Sequence, residues 1–367
     1  MPAKYIRLAN QLKELLLQNT GNGIYKLPSE HALCQQYHVS RQTVRAALRL
    51  LSEEGLVEKR QGSGSFSTGH SIAENNIGVI LNNADEYTSP ALLGDIRAVL
   101  RDKGYQIQVY STCGKIAEER RILQLLKSMP LRGLIAEGTR TSLPTPNLDL
   151  YEKLQSRGIS LLFLGGYAPN LPESACIKED NYYGGYLLTK HLIQKGHNRI
   201  AGIFKSDDIQ GPERYYGFLS ALRDFHIPFT DEQSLWYTSS HLTSLEKKSD
   251  TGFLTSFLRK NRHLYTAVVC HNDEIAYWLI RELGYARIRV PEDISIVSFD
   301  NSYMSDLGPV RITTLSHGEP HMGTVAARTI LKMIRGETVS TEALSWRLIS
   351  KGSDTPPSKN SLLVFGP

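Results

Sequence analysis

Residues 39–66, VSRQTVRAALRLLSEEGLVEKRQGSGSF, change periodicity part-way along. From Ser40 to Leu51 the apolar Val44, Ala47, Leu48 and Leu51 fall on one helical face, while Arg41, Arg45 and Arg49 recur every four residues on the other. Ser40 is suited to cap this helix, which runs to about Glu54, and Gly55 to end it. LVEKR and FST, separated by QGSGS, then read as a two-stranded hairpin, with Gly62 and Gly64 free to take the positive φ of a tight turn.

Upstream, residues 4–19 place Ile6, Leu8, Leu12, Leu15 and Leu16 at helical spacing before Asn19–Gly23 breaks the pattern. Pro28-Ser29 opens a second helix with Ser29 as N-cap, and His38-Val39 makes a tight break before the third. Three arginines alone fit a solvated face as well as a functional one. A helix, a short turn, an Arg-studded helix and a Gly-tipped hairpin in succession instead predict a winged helix-turn-helix. Charge follows the same division. The chain has 367 residues and a net charge of +5, of which residues 1–70, with nine basic and five acidic side chains, hold +4. No acid lies between residues 31 and 52, so the third helix does not neutralise its own arginines.

Downstream, the polar stretch GHSIAEN (69–75) separates this unit from the rest; we place the first domain at 1–70 and a linker at 71–75. From Asn76 short apolar runs (IGVIL, IQVY, GLIA, SLLFLG, IAGIF, TAVVC, SIVSF) alternate with amphipathic stretches. That alternation predicts an α/β domain of parallel sheets with crossover helices. The length and the polar break Tyr167–Glu173 favour two lobes joined at a hinge. Residues 353–367, rich in Pro and Ser, read as a tail. No apolar run approaches the roughly 18 residues of a membrane span, and no basic-then-apolar leader is present, so a cytoplasmic protein without a membrane partner is expected. Cys34, Cys113, Cys176 and Cys270 are dispersed, with no CxxC pair and no His at ligand spacing, which argues against a disulfide framework or a zinc site.

Enzyme motifs are missing. Gly133–Thr139 (GLIAEGT) has the glycines of a phosphate loop but no Lys, and neither GxGxxG after the first strand, GxSxG nor HExxH occurs. No catalytic residue, cofactor or metal is expected.

LPSEHAL (27–33), residues 39–66 and the leading Lys4-Tyr5 resemble the GntR-type DNA-binding domain along nearly its whole length. By that resemblance Arg41 and Arg45 read bases or phosphates of operator double-stranded DNA. Ser40, Gln42 and Thr43 lie near phosphate at the helix N-terminus, and Gln61-Gly62 form the wing tip. The chemistry is general: Arg bonds bidentately to guanine, and a helix N-terminus offers free N–H groups to phosphate. His31 stands where some family members carry a DNA-contacting Arg.

Residues 179–204, 211–222, 267–280, 290–301 and 312–331 resemble the LacI-type effector domain, a relative of periplasmic sugar-binding proteins. The resemblance implies a two-lobed periplasmic-binding-protein-like fold over 76–352. Lobe 1 would hold 76–172 and 307–336, and lobe 2 would hold 173–306 and 337–352. GLIAEGTRTSLPTPN (133–147) and AGIFKSDDIQG (201–211), joined to a GntR-type domain, resemble the arabinose-responsive repressors of Gram-positive bacteria. That implies a homodimeric repressor released from its operator by a sugar effector, L-arabinose. Sugars need planar charged groups that bond adjacent hydroxyls. Arg214 matches the family's effector-binding Arg, unless it pairs with Asp207 or Asp208. Asn272 or Asp273, and Asp300, follow strands at ends that face the crevice, though Asp273 equally suits capping the next helix. Glu137 matches the arabinose-type motif, and Gly165-Gly166 stand where some relatives carry Asp. Asn82, Tyr87 and His317 fall at the mouth, His317 also suiting a hinge. The adjacent aromatics Tyr182-Tyr183, Tyr215-Tyr216 and Tyr277-Trp278 point about 100° apart on a helix, so most belong to core or interface.

Overall fold

The computed structural model describes residues 4–19, 25–53, 56–60, 63–67, 75–84, 86–166, 171, 174–248, 250–261 and 264–358. The first domain holds α1 (Lys4–Asn19), α2 (Glu30–Tyr37), α3 (Arg41–Glu53) and the hairpin β1 (Val57–Arg60) and β2 (Gly64–Ser67). Ser29 caps α2, its Oγ accepting the Ala32 N–H at 3.2 Å; His38 ends α2 in the left-handed region at φ 50°. Ser40 caps α3 by accepting the Thr43 N–H at 3.2 Å. Leu8, Leu12, Leu16, Leu33, Val44, Ala47 and Leu51 close one small core. The hairpin is antiparallel from Val57↔Ser67 to Arg60↔Gly64, and Gly64 takes φ +109°. Gly55, the wing-tip Gln61 and Gly62, and linker residues 71–74 lie outside the described residues.

Two six-stranded sheets follow. Lobe 1 contains β3 (Asn76–Leu81), β4 (Gln106–Ser111), β5 (Gly133–Glu137), β6 (Ser160–Leu164), β7 (Ala175–Glu179) and β13 (Glu342–Leu344). They are parallel throughout, in the order β13-β7-β6-β5-β3-β4. Its apolar runs are continuous because both faces are covered. Ile77, Val79 and Leu81 meet α4 (Ser89–Arg101) and α13 (Met322–Ile334), whereas Ile80 meets α5 (Ile116–Leu126) and α6 (Leu148–Gln155).

Lobe 2 contains α7 (Asn181–Gln194), β8 (Ile200–Lys205), α8 (Gln210–Asp224), β9 (Ser234–Tyr237), α9 (Ser239–Lys248) and α10 (Gly252–Asn261). It continues with β10 (Ala267–Cys270), α11 (Asp273–Tyr285), β11 (Ser295–Phe299), α12 (Met304–Leu307), β12 (Thr313–Ser316) and β14 (Arg347–Ile349). Its sheet order is β14-β12-β11-β10-β8-β9, and the edge strand β14 runs antiparallel to β12. A Cβ at Gly185 would lie 2.0 Å from the Arg214 carbonyl oxygen, and one at Gly217 1.9 Å from that of Tyr182. These two glycines let α7 and α8 pack backbone to backbone.

The lobe boundaries differ from the expected crossings near 172, 306 and 337. Strand β7 pairs with β6, so the chain leaves lobe 1 only after Glu179. Strand β12 pairs with β11, so the return crossing is 317–321; β13 pairs with β7, which moves the last crossing to 345–346. Each expected crossing fell one strand early, because hydrogen-bond pairing, rather than local composition, decides which sheet a strand joins. The tail does not begin at 353 either. Ser353 Oγ accepts the Thr313 N–H at 2.8 Å, and the buried Asp354 pairs with Lys195 at 2.5 Å and His191 at 2.7 Å. Residues 353–358 are thereby strapped to lobe 2; 359–367 lie outside the described residues.

Candidate functional site

The arginine row of α3 is exposed as expected, but it has a counter-charge from the preceding helix. Arg41 Nε and Arg45 Nε both donate to Glu30 Oε2, at 3.1 and 3.0 Å, and Lys59 of the hairpin lies 3.6 Å from Glu30 Oε1. The Arg41 hydrogen bond, with help from Arg45, holds the Glu30 carboxyl below its usual range. Glu30 thus ties two guanidiniums of α3 to a lysine of the hairpin. Gln42 is exposed, and Thr43 is tied to Ser40, Oγ1 to Oγ at 2.9 Å. Lys26 and Arg60 lie over the Phe66 ring, at 5.6 and 4.9 Å from its centroid.

A cavity of about 600 Å³ opens between the lobes at the carboxyl ends of their strands, the usual ligand position in parallel α/β sheets. Asn82, Tyr87, Glu137, Arg214, Asn272, Asp300 and His317 all line it. The Arg214 side chain is 2% exposed. Its Nε donates to Asn181 Oδ1 at 2.9 Å and a terminal nitrogen to the His271 carbonyl. Another terminal nitrogen sits 3.7 Å from Glu179 and 3.9 Å from Asp300. The guanidinium lies 4.1 Å above the Phe299 ring. Neither Asp207 nor Asp208 is its partner: Asp207 accepts from Ser239 N–H, and Asp208 pairs with Lys205.

Asp300 reaches the cavity from a left-handed backbone, φ 98°, that is costly for a non-glycine residue. Hydrogen bonds from Asp300 N–H to Leu315 O (2.9 Å) and from Asn301 N–H to Thr314 Oγ1 (3.2 Å) hold it there. Asp273 corrects an expectation. It does not line the cavity, and its carboxylate accepts from Ser298 Oγ, Ser302 N–H (2.7 Å), Ser302 Oγ (2.9 Å) and Thr314 Oγ1 (2.8 Å). It braces the Asp300 loop from beneath, and Asn272, not Asp273, caps α11 by accepting the Ile275 N–H at 3.0 Å. Glu137 accepts the Asn82 N–H at 2.7 Å. His317 lines the cavity at the second crossing and stacks on Trp346, ring centroids 4.1 Å apart.

Burial dominates the electrostatics. It raises the Glu137 and Asp300 carboxyls, Arg214 opposing the effect at Asp300, and pushes Glu179 up to about 7. Glu86 rises to about 8 through burial and the nearby Glu137 charge. Burial and Arg214 lower His317 to about 4. Burial opposes the charge on Lys205, but Asp208 outweighs it and the ammonium is held. With six carboxyls from Glu86, Asp95, Glu137, Glu179, Asp208 and Asp300 and only two such cations, the cavity suits a neutral ligand rich in hydroxyl donors rather than an anion. Among the described residues no group of three His, Cys, Asp or Glu is placed to hold a metal, and no helix is long and apolar enough to cross a membrane.

Residues 4–66 match the bacterial regulatory proteins of the gntR family, and residues 189–353 a periplasmic binding protein-like domain. The arabinose metabolism transcriptional repressor of Halalkalibacterium halodurans is 34% identical over 345 residues, covering 92% of this chain and 91% of its own. That of Geobacillus stearothermophilus is 34% identical over 341 residues, covering 92% of each. The chain belongs to the GntR family. It is a transcriptional repressor of the GntR/LacI type and not an enzyme. The structure of a periplasmic binding protein/LacI transcriptional regulator from Alkaliphilus metalliredigens, complexed with D-xylulofuranose, shares the fold, with a TM-score of 0.64 at 22% identity over 76% of this chain and 99% of that one.

Sequence reasoning missed several residues of the repressor's cleft: Glu86, Glu179, Lys205, Asp208, Tyr237 and His271. Glu179, Lys205 and Tyr237 are the last residues of β7, β8 and β9, and His271 follows β10. Reading the carboxyl end of every strand, rather than of those with a family motif, finds these four. Glu86 and Asp208 sit in loops and carry no such signal.

Proposed function

We propose that this repressor binds operator double-stranded DNA as a homodimer in the cytoplasm and lets go when a sugar, L-arabinose, closes the cleft. The observation that supports the sugar is the cavity itself: one guanidinium, fixed by Asn181, Glu179 and Asp300, among carboxyls contributed by both lobes. Such groups accept and donate to vicinal hydroxyls without demanding ligand charge. The 34% identity to two arabinose metabolism repressors supports the particular sugar. On the DNA side, Arg41 and Arg45 contact the operator from α3, Ser40, Gln42 and Thr43 lie near phosphate, and Gln61 and Gly62 form the wing tip. A single winged helix reads a short site, which favours a dimer on a two-fold operator. Release requires that sugar prefer the non-operator conformation, since equal affinity for both states shifts nothing.

Thermal melting against a panel of pentoses and hexoses tests the reading. A ligand at 100 times its dissociation constant stabilises the fold by about 2.7 kcal/mol, and L-arabinose is expected to raise the melting temperature while its epimers do not. A shift with a different sugar alone overturns the arabinose assignment, and no shift with any sugar overturns the effector reading.

A further inference from the structure

The hairpin of the first domain carries a third extended segment and has two unlike faces. Lys26 bridges Phe66 antiparallel; Leu27 N–H donates to Ser65 O at 2.9 Å, Ser67 N–H to Tyr25 O at 2.6 Å and Tyr25 N–H to Ser67 Oγ at 2.7 Å. Residues 25–27 therefore run along β2 on the edge opposite β1. Side chains alternate across such a sheet. Leu27 and Val57 turn into the domain core, and Lys59, on the same face as Val57, reaches Glu30. Lys26, Glu58, Arg60, Gly64 and Phe66 share the outer face. There Phe66 is half-buried, and cations cover it: Lys26 Nζ and the Arg60 guanidinium lie 5.6 and 4.9 Å from the ring centroid. A Cβ at Gly64 would already touch Lys26 Cε at 3.5 Å, so Lys26 crosses the hairpin close to its tip. Among the described residues of this domain the ion pairs are those of Glu30 with Arg41, Arg45 and Lys59 and of Glu58 with Arg60, the last a loose 3.6 Å contact between exposed side chains; Lys26 is in none of them. The inner-face cation is held by a carboxylate, whereas the outer-face pair is held by an aromatic ring, which fixes position without cancelling charge.

We infer that Lys26 and Arg60, laid on Phe66, form a phosphate-binding pair on the outer face of the hairpin that grips the duplex backbone irrespective of sequence. Arg60 immediately precedes Gln61 and Gly62, the wing tip of the functional reading above, so a hairpin tip that meets a groove brings both cations to the phosphates along its rim. Duplex DNA offers a charge about every 1.7 Å of its axis, and two cations on an open sheet face suit such a polyanion, which needs no enclosing pocket as a small anion does. Lys26 supplies a point charge and Arg60 a fork of donors, both suited to phosphate oxygens. The pair lies on the face turned away from the core that α3 closes, so it adds contacts beyond those of Arg41 and Arg45. Lys26 precedes the helix-turn-helix, and only its pairing with Phe66 places it on the hairpin.

This inference rests on the DNA reading above and is tested so that the two fail differently. The full-length protein is titrated by fluorescence anisotropy, at several salt concentrations, against a duplex carrying the DNA upstream of its own gene and against a scrambled duplex of the same length. Wild type is compared with Lys26→Met, Arg60→Met and the double variant. Methionine keeps an apolar stem on the Phe66 ring and removes the charge, and thermal melts show that the variants are folded. The expected result is a plot of log affinity against log salt that is shallower by about 0.9 for each single variant and about 1.8 for the double, on both duplexes alike. Lys26→Arg keeps the wild-type slope. A wild-type slope in the double variant overturns the pair, and so does weaker binding at an unchanged slope, which marks a packing role for the two side chains. A loss confined to the upstream duplex assigns them to base edges and also overturns it. If the wild type binds neither duplex at 50 mM salt, the DNA reading fails and takes the pair with it.

Discussion

The Tyr87 hydroxyl, carried by lobe 1, donates to the Asp300 carboxylate of lobe 2 across the mouth of the cleft. Two further bonds join the lobes at another place: Ile209 N–H to Thr141 Oγ1 at 3.0 Å and Ser142 N–H to Asp207 O at 3.4 Å. The Tyr87 bond engages the same carboxylate that pairs with Arg214, so a contact between the lobes and the Arg214 ion pair share one residue.

Tyr87→Phe removes that bond while keeping the ring. A hydrogen bond to a charged acceptor is worth about 1.5–3 kcal/mol, so sugar affinity is expected to fall by about tenfold or more. Titration calorimetry on the variant checks this; an unchanged dissociation constant contradicts a closing role for Tyr87.

Gly217→Ala places a methyl 1.9 Å from the Tyr182 carbonyl oxygen, where only backbone can give way. Overpacking of this kind costs about 3 kcal/mol, and because Arg214 lies one helical turn before Gly217 on α8, the shift also displaces the guanidinium. Urea melts are expected to show the loss of stability, and the thermal shift with sugar to disappear even where the variant remains folded.

Glu86 carries its proton up to about pH 8 in the folded protein, against an ordinary value of 4.5. The folded state then binds more protons than the unfolded one between those limits, so this group's contribution to stability falls as pH rises from about 4.5 to 8. Glu86→Gln removes the penalty. At pH 8 the sugar-free variant is expected to melt about 2–4 °C above wild type, with the gap closing toward pH 5; equal melting temperatures at both pH values contradict the assignment.

Arg45→Ala is expected to cost about 1–3 kcal/mol in operator affinity if the side chain reads a base. Wild-type binding that neutralises about 6–10 phosphates weakens by about 10³–10⁵ between 50 and 200 mM salt. Gel-shift titrations over that salt range measure both quantities, and binding indifferent to salt and to the substitution removes α3 from the interface.

Local pattern was enough wherever neighbours in sequence are neighbours in space. The caps at Ser29 and Ser40, the left-handed break at His38, the arginine row and the strand-helix alternation are all short-range features, set by side-chain spacing and backbone preference. Family motifs then marked Arg214, Glu137 and Asp300 as residues that meet at one cleft. What the sequence left open was pairing between distant segments. Only the folded sheets assign β7 and β12 to their lobes, strap residues 353–358 against Thr313 and Lys195, and bring Glu30 onto Arg41 and Arg45. Asp273 is the sharpest case: beside Asn272 in sequence, it is turned beneath the cavity because Ser298, Ser302 and Thr314 satisfy its carboxylate there. Periodicity determines which face of an element a residue occupies; what that face meets depends on contacts made across tens to hundreds of residues.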